Sequence, residues 1–330
     1  MIRREPTYVV LGGGGFLGVN LCRRLASSGA RVRAFGRRCP FDLPGVEWRQ
    51  GDFCDTAALA SAIGSCETVF HLVHNYMPQS ADLNMAEDIQ QSVISSLALL
   101  EICRRLKVKR IVFVSSGGTV YGPTQHVPTP ETASTDPISS YGISKLTIEK
   151  YLRLYEHHHG LSFRVLRAAN LFGPFQLPGK KQGAIAALIS CALRNQVFEI
   201  WGDGSAVRDY VYVDDVVDAL LLAAEDESEE RIFNIGSGEG HNLLQLITEI
   251  EANLGVRLAV RRAKGRAIDV PVSILAIERA ATILGWRPKT PFVVGIKQTI
   301  EWWRSRRIER RVLWEDILAT QAARRVDALT

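Results

Sequence analysis

The sequence predicts an α/β protein, with a doubly wound parallel sheet followed by a smaller C-terminal α/β lobe that covers a substrate. The chain has 330 residues, 46% hydrophobic and 23% charged, which suffices for a nucleotide-binding domain plus a smaller lobe. In the first half, short β-branched runs alternate with segments of helical periodicity, which indicates parallel strands joined by right-handed crossovers. Later, glycine, proline and loop-forming residues become more frequent, as expected of a substrate lobe.

The expected boundaries are 1–170 for the sheet domain and 171–330 mainly for the substrate lobe and C-terminal helices. Residues 206–235 are expected to pack back on the first domain. Short apolar runs predict strands at 8–11, 31–35, 46–50, 68–72, 110–115 and 162–167. Helical spacing of apolar residues predicts helices at 16–28, 56–63, 87–107, 141–159 and within 210–224. Gly29 and Gly160 supply the stop signals of the first and fourth of these helices.

Composition and charge exclude several classes of protein. The net charge of +5 is mild and comes with no nucleic-acid-binding motif. No stretch of about 18 consecutive apolar residues is present, so no membrane span is expected, and the N-terminus does not have the pattern of a signal peptide. The six cysteines lack CxxC spacing, which predicts reduced, buried thiols, a cytoplasmic location and no metal site.

A glycine-rich loop follows the first predicted strand. Gly12, Gly15 and Gly18 form G-x-x-G-x-x-G between a strand and a helix. Glycines here permit a tight turn, close approach of the backbone to a pyrophosphate and close packing of the helix on the sheet. The helix N-terminus then offers free N–H groups to the phosphates. This setting predicts a Rossmann fold that binds a dinucleotide.

The end of the second predicted strand bears on the choice of cofactor. A carboxylate that holds the adenosine ribose of NAD is usual there, but this chain has Gly36, Arg37 and Arg38. The two guanidinium groups suit the 2′-phosphate of NADP, whereas an arginine stacked on adenine would still permit NAD, so the residues favour neither cofactor clearly. Asp52, where the third strand ends, is a candidate for the adenine amino group.

Tyr141 and Lys145 form the pattern Y-x-x-x-K on a predicted helix. The i, i+4 spacing places both side chains on one face, about 5–6 Å apart at Cβ. An ammonium near the phenol is expected to lower the pKa of Tyr141 and prepare it for proton transfer. The alternative is an ordinary exposed helix face.

With this pair in place, the chain resembles the extended short-chain dehydrogenase/reductase family, in the NAD-dependent epimerase/dehydratase branch typified by UDP-glucose/UDP-galactose 4-epimerase. The resemblance extends to about residue 300. The blocks that carry it are GGGGFLG at 12–18, SSGGTVYG at 115–122, YGISK at 141–145, RDYVYVDD at 208–215 and FNIG at 233–236. Their order is specific for the family and much less specific for the substrate.

The resemblance implies roles for individual residues. Tyr141 would be the acid/base, and Lys145 would also hold the nicotinamide ribose. The cofactor contacts are expected from Gly12, Gly15, Phe16, Leu17, Gly18, Arg37, Arg38, Asp52, Phe53, Leu72, Ser115, Tyr141 and Lys145. The substrate contacts are expected from Ser116, Thr119, Asn170, Arg208, Arg266 and Asp269, with Asn170 and both arginines at the sugar diphosphate and Asp269 at the nucleoside ribose. A homodimer is also implied, through the helices near 87–107 and 141–159.

The sequence departs from the family pattern at several positions. The hydroxyl that bonds the reacting oxygen in many relatives aligns with Gly117, so Ser116 is the nearest substitute as a catalytic residue and Thr119 a weaker one. Gly118 and Thr119 stand where dehydratases usually have an acidic pair, which argues against dehydration. Ser92 stands where relatives often have asparagine.

These features predict a nucleotide-sugar 4-epimerase, most readily of a UDP-sugar, that acts through a transient 4-keto sugar. One alternative is an NADP(H)-dependent 4-ketoreductase or dehydrogenase, favoured by Arg37 and Arg38. Another is a dinucleotide-sensing protein without turnover, favoured by Gly117 and Ser92 but opposed by the Tyr141–Lys145 pair.

Overall fold

The computed structural model describes residues 7–74, 81–124, 126–178, 183–264 and 270–309. A central sheet of seven parallel strands has the order β10-β6-β5-β4-β1-β2-β3. These strands are β1 (Thr7–Leu11), β2 (Arg31–Gly36), β3 (Val46–Gln50), β4 (Thr68–His71), β5 (Arg110–Ser116), β6 (Ser162–Ala168) and β10 (Ile232–Ile235). The strand order reverses at β1, so the carboxyl ends of β1 and β4 flank a crevice of the kind that binds ligands in such sheets.

Helices cover both faces of the sheet. On one face, α1 (Phe16–Ser27) and α7 (Val213–Glu225) contribute Leu21, Leu25 and Leu220 to the core. The other face is covered by α2 (Thr56–Ile63), α4 (Ser95–Arg105) and α5 (Ser140–His159). Before α4 come a short α3 (Met85–Asp88) and a π-helical turn (Ile89–Ile94). The sheet is therefore doubly wound, as predicted.

The second half of the chain builds a smaller α/β lobe. Strand β9 (Val207–Tyr212) pairs with β7 (Asn170–Phe172), β11 (Gly240–Asn242) and β13 (Val272–Ser273), and β8 (Phe198–Trp201) pairs with β12 (Val260–Ala263). Helix α6 (Ala184–Arg194) comes before β8. The helices after α7 are α8 (Leu243–Leu254), α9 (Glu278–Ile283) and α10 (Phe292–Glu309). Side chains of α6, α8 and α10 form a separate apolar core with Phe172.

The fold class predicted from the sequence is confirmed, and the strand boundaries agree within a residue or so. Two local predictions were wrong. The helix expected at 87–107 is interrupted by the π-helical turn. All the cysteines were expected to be buried, but Cys54 is exposed and Cys39 and Cys191 are only half-buried; all six are free thiols. In the smaller lobe, the apolar faces of α6 and α8 pack together. Within the described ranges, no helix is both long and apolar enough to cross a membrane.

Candidate active site

The glycine loop between β1 and α1 has a shape that side chains would prevent. Gly12 has a φ of +83°, and the N–H groups of Gly12 and Gly13 donate to the carbonyl of Phe35 at 2.9 and 3.1 Å. A Cβ on Gly18 would overlap the carbonyl oxygen of Gly12, and a Cβ on Gly13 would lie 2.6 Å from that of Ala34. The backbone is therefore free of side chains where a pyrophosphate would approach.

Helix α1 begins directly behind this loop. Its N-cap residue, Gly15, has extended backbone and offers no side chain to cap the first N–H groups of the helix. Those groups and the helix dipole favour an anion at this end. Phe16 packs in a small apolar cluster and Leu17 on the main core, so they anchor the loop rather than leave it mobile. Leu72, at the carboxyl end of β4, donates its N–H to Leu11 at 3.1 Å. The residues present thus fit a bound dinucleotide.

The adenosine end of the crevice is marked by the end of β2. Arg37 and Arg38 follow Gly36 and are exposed, and within the described chain neither guanidinium forms a hydrogen bond or ion pair. Asp52 is also exposed and accepts a hydrogen bond from the N–H of Cys54 at 2.9 Å. Phe53 is buried, with its ring 5.0 Å from that of His71. The structure therefore leaves both arginines available to a ligand.

Tyr141 and Lys145 lie on the first turns of α5, whose N-cap Ser139 accepts a hydrogen bond from Gly142. Lys145 is only 3% exposed, and its Nζ donates to the carbonyl of Val114 at 2.8 Å. The same Nζ lies 5.7 Å from the centre of the Tyr141 ring and 4.7 Å from that of Phe113. The pair is thus on one face of the helix, beside the carboxyl end of β5.

The electrostatics of this pair differ from the expectation. Burial, followed by the negative charge of Asp88, raises the pKa of Tyr141 above its usual value. Burial also lowers the pKa of Lys145 to about 7, although Glu149 and Asp88 oppose that shift. The prediction that Lys145 lowers the pKa of Tyr141 is therefore wrong for the chain alone. The physical reason is that the ammonium is itself desolvated while a carboxylate faces the phenol.

A buried ion pair lies one turn further along α5. Glu149 and Arg167 have side chains 2% and 4% exposed and approach to 2.6 Å. Ser115 donates its hydroxyl to Glu149 at 2.5 Å, so this hydroxyl belongs to the ion-pair network. The Arg167 guanidinium also lies 4.8 Å above the Tyr121 ring. Sequence reasoning missed both members of the pair, although Glu149 follows Lys145 by one helical step of four residues.

The loop after β5 explains the unusual Gly117. A Cβ at this position would lie 2.5 Å from Leu275 Cδ1 and 3.1 Å from the Arg167 carbonyl oxygen. A serine or threonine does not fit there without displacing the β6 backbone or Leu275. Ser116 is half-buried, whereas the Thr119 hydroxyl is buried and has no hydrogen-bond partner among the described residues. Both hydroxyls thus remain available to a ligand.

A second buried carboxylate, Asp88, faces the start of α5. Its oxygens accept hydrogen bonds from Ser92 at 3.0 Å, Ser140 at 3.0 Å and Ser144 at 2.8 Å. His74 Nε2 lies 3.3 Å from Oδ1 of the same carboxylate. Burial alone would raise the pKa of Asp88, but its hydrogen-bond partners outweigh burial and lower it to about 2. No local motif points to Asp88, because all of these partners except Ser92 come from distant segments.

The expected substrate residues are only partly described. Asn170 is exposed on β7 and donates to the carbonyl of Asp209 at 3.0 Å. Arg208 donates to the carbonyls of Val207 and Val270 at 2.9 and 2.6 Å. Arg266 and Asp269 lie outside the described residues. Asn170 and Arg208 are thus brought together on the paired strands β7 and β9.

Comparison with known proteins places this site in a family. Residues 8–236 match the NAD dependent epimerase/dehydratase family. The chain belongs to this family. The resemblance inferred from the five sequence blocks is thereby confirmed, and the chain is an enzyme of the extended short-chain dehydrogenase/reductase class.

Individual relatives cover nearly the whole chain. A putative UDP-glucose 4-epimerase of Methanocaldococcus jannaschii is 32% identical over 90% of this chain and 98% of its own length. A dTDP-4-dehydro-6-deoxyglucose reductase of Escherichia coli is 29% identical over 91% of this chain and 98% of its own length. The relatives therefore include a reductase as well as epimerases.

Solved structures agree with the fold. The UDP-glucose 4-epimerase of Thermotoga maritima, solved with UDP-glucose, is 35% identical with a TM-score of 0.86, covering 91% of this chain and 99% of that one. The Thermus thermophilus UDP-glucose 4-epimerase, in complex with NAD, is 30% identical with a TM-score of 0.84, covering 90% and 99%.

Proposed function

We propose that the protein is a nucleotide-sugar 4-epimerase that acts on a UDP-sugar. The observation that carries the proposal is the pair of half-buried Tyr141 and buried Lys145, which lies at the carboxyl edge of a sheet whose glycine loop fits a dinucleotide. The similarity to UDP-glucose 4-epimerases over nine-tenths of the chain supports the substrate class.

In this proposal Tyr141 removes the proton from the sugar 4-hydroxyl and later returns it. Oxidised nicotinamide, when bound, takes up and gives back the hydride of carbon 4. Lys145, fixed by the Val114 carbonyl, places its charge beside the phenol and the nicotinamide ribose. The reacting oxygen receives a hydrogen bond from Ser116 or from Thr119, whose hydroxyl has no partner among the described residues. The 4-keto sugar then turns over while its diphosphate stays bound, so positioning supplies much of the rate.

We propose NAD as the resident cofactor, supported by the NAD complex of the Thermus thermophilus relative. A 4-ketoreductase or dehydrogenase that uses NADP(H) is the second candidate. The exposed guanidinium groups of Arg37 and Arg38, which have no partner among the described residues, favour it, because a 2′-phosphate would pair with them. A sensor without turnover lacks such support, since Tyr141 and Lys145 are both present and lie together at the carboxyl edge of the sheet.

The substrate diphosphate is assigned to the edge formed by β7 and β9. Asn170 and Arg208 lie there, and Arg266 and Asp269 remain predicted contacts outside the described residues. The carbonyl bonds of Arg208 hold its guanidinium in one orientation, which suits bidentate pairing with a phosphate.

We also infer a homodimer in the cytoplasm. Apolar side chains on α3, the π-helical turn and α5 are between 44% and 56% exposed, which is typical of a surface that a partner covers. These are Met85, Ile89, Ile94, Ile143 and Leu154. The six free cysteines favour a reducing compartment.

The test is to denature the purified protein, identify the released dinucleotide by mass spectrometry, and assay UDP-galactose conversion by NMR. Retained NAD together with UDP-glucose as the product supports the epimerase. A protein that carries no dinucleotide, binds NADPH more tightly than NADH, does not convert UDP-galactose and consumes NADPH only when a nucleotide-linked 4-keto sugar is supplied supports the reductase instead.

A further inference from the structure

His74 is a buried imidazole beside the catalytic tyrosine. It lies in the segment after β4, at the carboxyl edge of the sheet, and its side chain is 7% exposed. Its ring meets that of Tyr141 edge to face, with centroids 4.3 Å apart. A hexose whose 4-hydroxyl contacts the Tyr141 phenol would therefore lie close to the His74 imidazole.

The partners of the two ring nitrogens define what His74 offers. Nε2 makes an ion-pair contact of 3.3 Å with a carboxylate oxygen of Asp88, but neither Nε2 nor Nδ1 has a partner in hydrogen-bond geometry among the described residues. A carboxylate only accepts hydrogen bonds, so the N–H of a neutral imidazole belongs on Nε2. Nδ1 then carries the lone pair, and this acceptor is buried without a donor.

The charges around His74 keep the imidazole neutral. Burial, together with the charge of Lys145, lowers its pKa to about 4, while Asp88 opposes that shift. His71, the other imidazole on this edge, is itself buried and neutral because burial and Lys145 lower its pKa. A neutral His74 accepts a hydrogen bond at Nδ1 throughout the physiological pH range.

The carboxylate that holds His74 is itself firmly fixed. Asp88 is fully buried and receives three serine hydroxyls, two of them from Ser140 and Ser144 on the helix that carries Tyr141. The π-helical turn places Ser92 back on the same carboxylate. The imidazole is therefore oriented relative to the catalytic helix and not merely packed near it.

A buried polar atom without a partner requires an explanation, because such atoms are rare in folded proteins. We propose that His74, oriented by Asp88, is a substrate-binding residue whose Nδ1 accepts a hydrogen bond from a hydroxyl of the sugar ring. This inference rests on the proposed nucleotide-sugar function and adds a specificity determinant to it. A sugar that lacks this hydroxyl would leave the lone pair buried and unpaired, which disfavours its binding.

The first experiment observes Nδ1 directly. Protein labelled with 15N-histidine and freed of dinucleotide is followed by long-range 1H–15N NMR as NAD, UDP and UDP-glucose are added in turn. We expect a free-acceptor signal for His74 Nδ1 that is unchanged by UDP and shifts with UDP-glucose. A shift on addition of NAD alone would assign the donor to the cofactor amide and overturn the inference.

The second experiment measures affinity. His74→Phe is expected to bind UDP-glucose about tenfold more weakly than the wild type while binding UDP equally well. His74→Gln retains a neutral acceptor and should recover part of the loss. His126→Gln, at an exposed histidine, is the control and should bind both ligands like the wild type.

The two proposals fail in different ways. A wild-type protein that binds neither UDP nor UDP-glucose contradicts the proposed function and this inference together. A wild-type protein that binds and epimerises UDP-glucose, with an unchanged affinity in His74→Phe, overturns only the role of His74.

Discussion

The two sides of the crevice are built on different principles. On the dinucleotide side, the glycine loop gets its shape from backbone alone, with Gly12 and Gly13 bonded to Phe35 and no room for a Cβ at Gly18. On the catalytic side, the shape depends on buried charged side chains, chiefly Asp88, Lys145 and Glu149. The first side presents backbone N–H groups of the kind that suit a phosphate, and the second sets the charge around Tyr141.

Because the two sides differ in this way, substitutions on each side should impair the protein by a different mechanism. A buried charge reduces the stability of the fold unless a partner compensates it. Removing one member of a pair on the catalytic side therefore leaves the other buried without a counter-charge. Changes in the glycine loop act through steric overlap instead. Substitutions on the catalytic side should therefore reduce turnover or stability, and substitutions in the glycine loop should reduce cofactor binding.

The largest effect is expected from Tyr141→Phe. Removal of the phenol hydroxyl deletes the acid/base group, so turnover should fall by roughly 10²–10⁴-fold while the retained dinucleotide stays the same. Steady-state kinetics and mass spectrometry of the released cofactor measure the two quantities. Tyr155→Phe, on the same helix but distant in sequence from the pair, is the control. Equal turnover in the two variants would contradict the assigned role of Tyr141.

Glu149→Gln should destabilise the protein by about 3–5 kcal/mol, because it leaves the Arg167 guanidinium buried without a counter-charge. Chemical denaturation measures the change in the free energy of unfolding. Glu199→Gln breaks an ion pair between Glu199 and Arg261, whose side chains are 34% and 73% exposed respectively. It should lower the free energy of unfolding by no more than about 1 kcal/mol.

The double variant Glu149→Gln/Arg167→Met removes both charges and should recover much of the lost stability. If Glu149→Gln is no more destabilising than Glu199→Gln, the buried pair does not support the catalytic side as described.

Gly18→Ala tests the dinucleotide side. The added methyl overlaps the Gly12 carbonyl, so a destabilisation of about 1–3 kcal/mol and partial loss of retained dinucleotide are expected. Gly118→Ala is the matched control, since its Cβ would have no neighbour closer than the Ser273 hydroxyl at 4.0 Å. Full cofactor occupancy in Gly18→Ala would show that the loop tolerates side chains.

The smallest effect is expected from Arg37→Ala. An exposed charge contributes at most about 1 kcal/mol, so the affinity for NADPH should fall by no more than roughly fivefold and that for NADH should not change. Fluorescence titration measures both, with Arg105→Ala as an exposed control on α4. A loss of NADH affinity instead would indicate that Arg37 contacts adenine.

The sequence predicted the dinucleotide side well because its determinants are local. Gly12, Gly15 and Gly18 lie within one strand–loop–helix unit, and their spacing alone encodes the turn. Tyr141 and Lys145 were predictable for the same reason, since one helix carries both.

The surroundings of Tyr141 were not predictable, because they depend on contacts between distant segments. Asp88 bonds Ser144, 56 residues away, and Glu149 bonds Ser115, 34 residues away. The direction of the Tyr141 pKa shift was consequently wrong, and no spacing rule reveals that Leu275 fills the space beside Gly117. Tertiary contacts, not local pattern, set the electrostatics of the site.

An internal redox cycle can be tested with UDP-glucose carrying deuterium at carbon 4, with unlabelled NADH and NADPH in solution. We expect that the UDP-galactose formed retains the deuterium at carbon 4 and that absorbance at 340 nm does not change, because hydride returns to the sugar from which it came. Loss of deuterium from the product would contradict an internal redox cycle, because it would mean that the hydride at carbon 4 came from the dissolved NADH or NADPH.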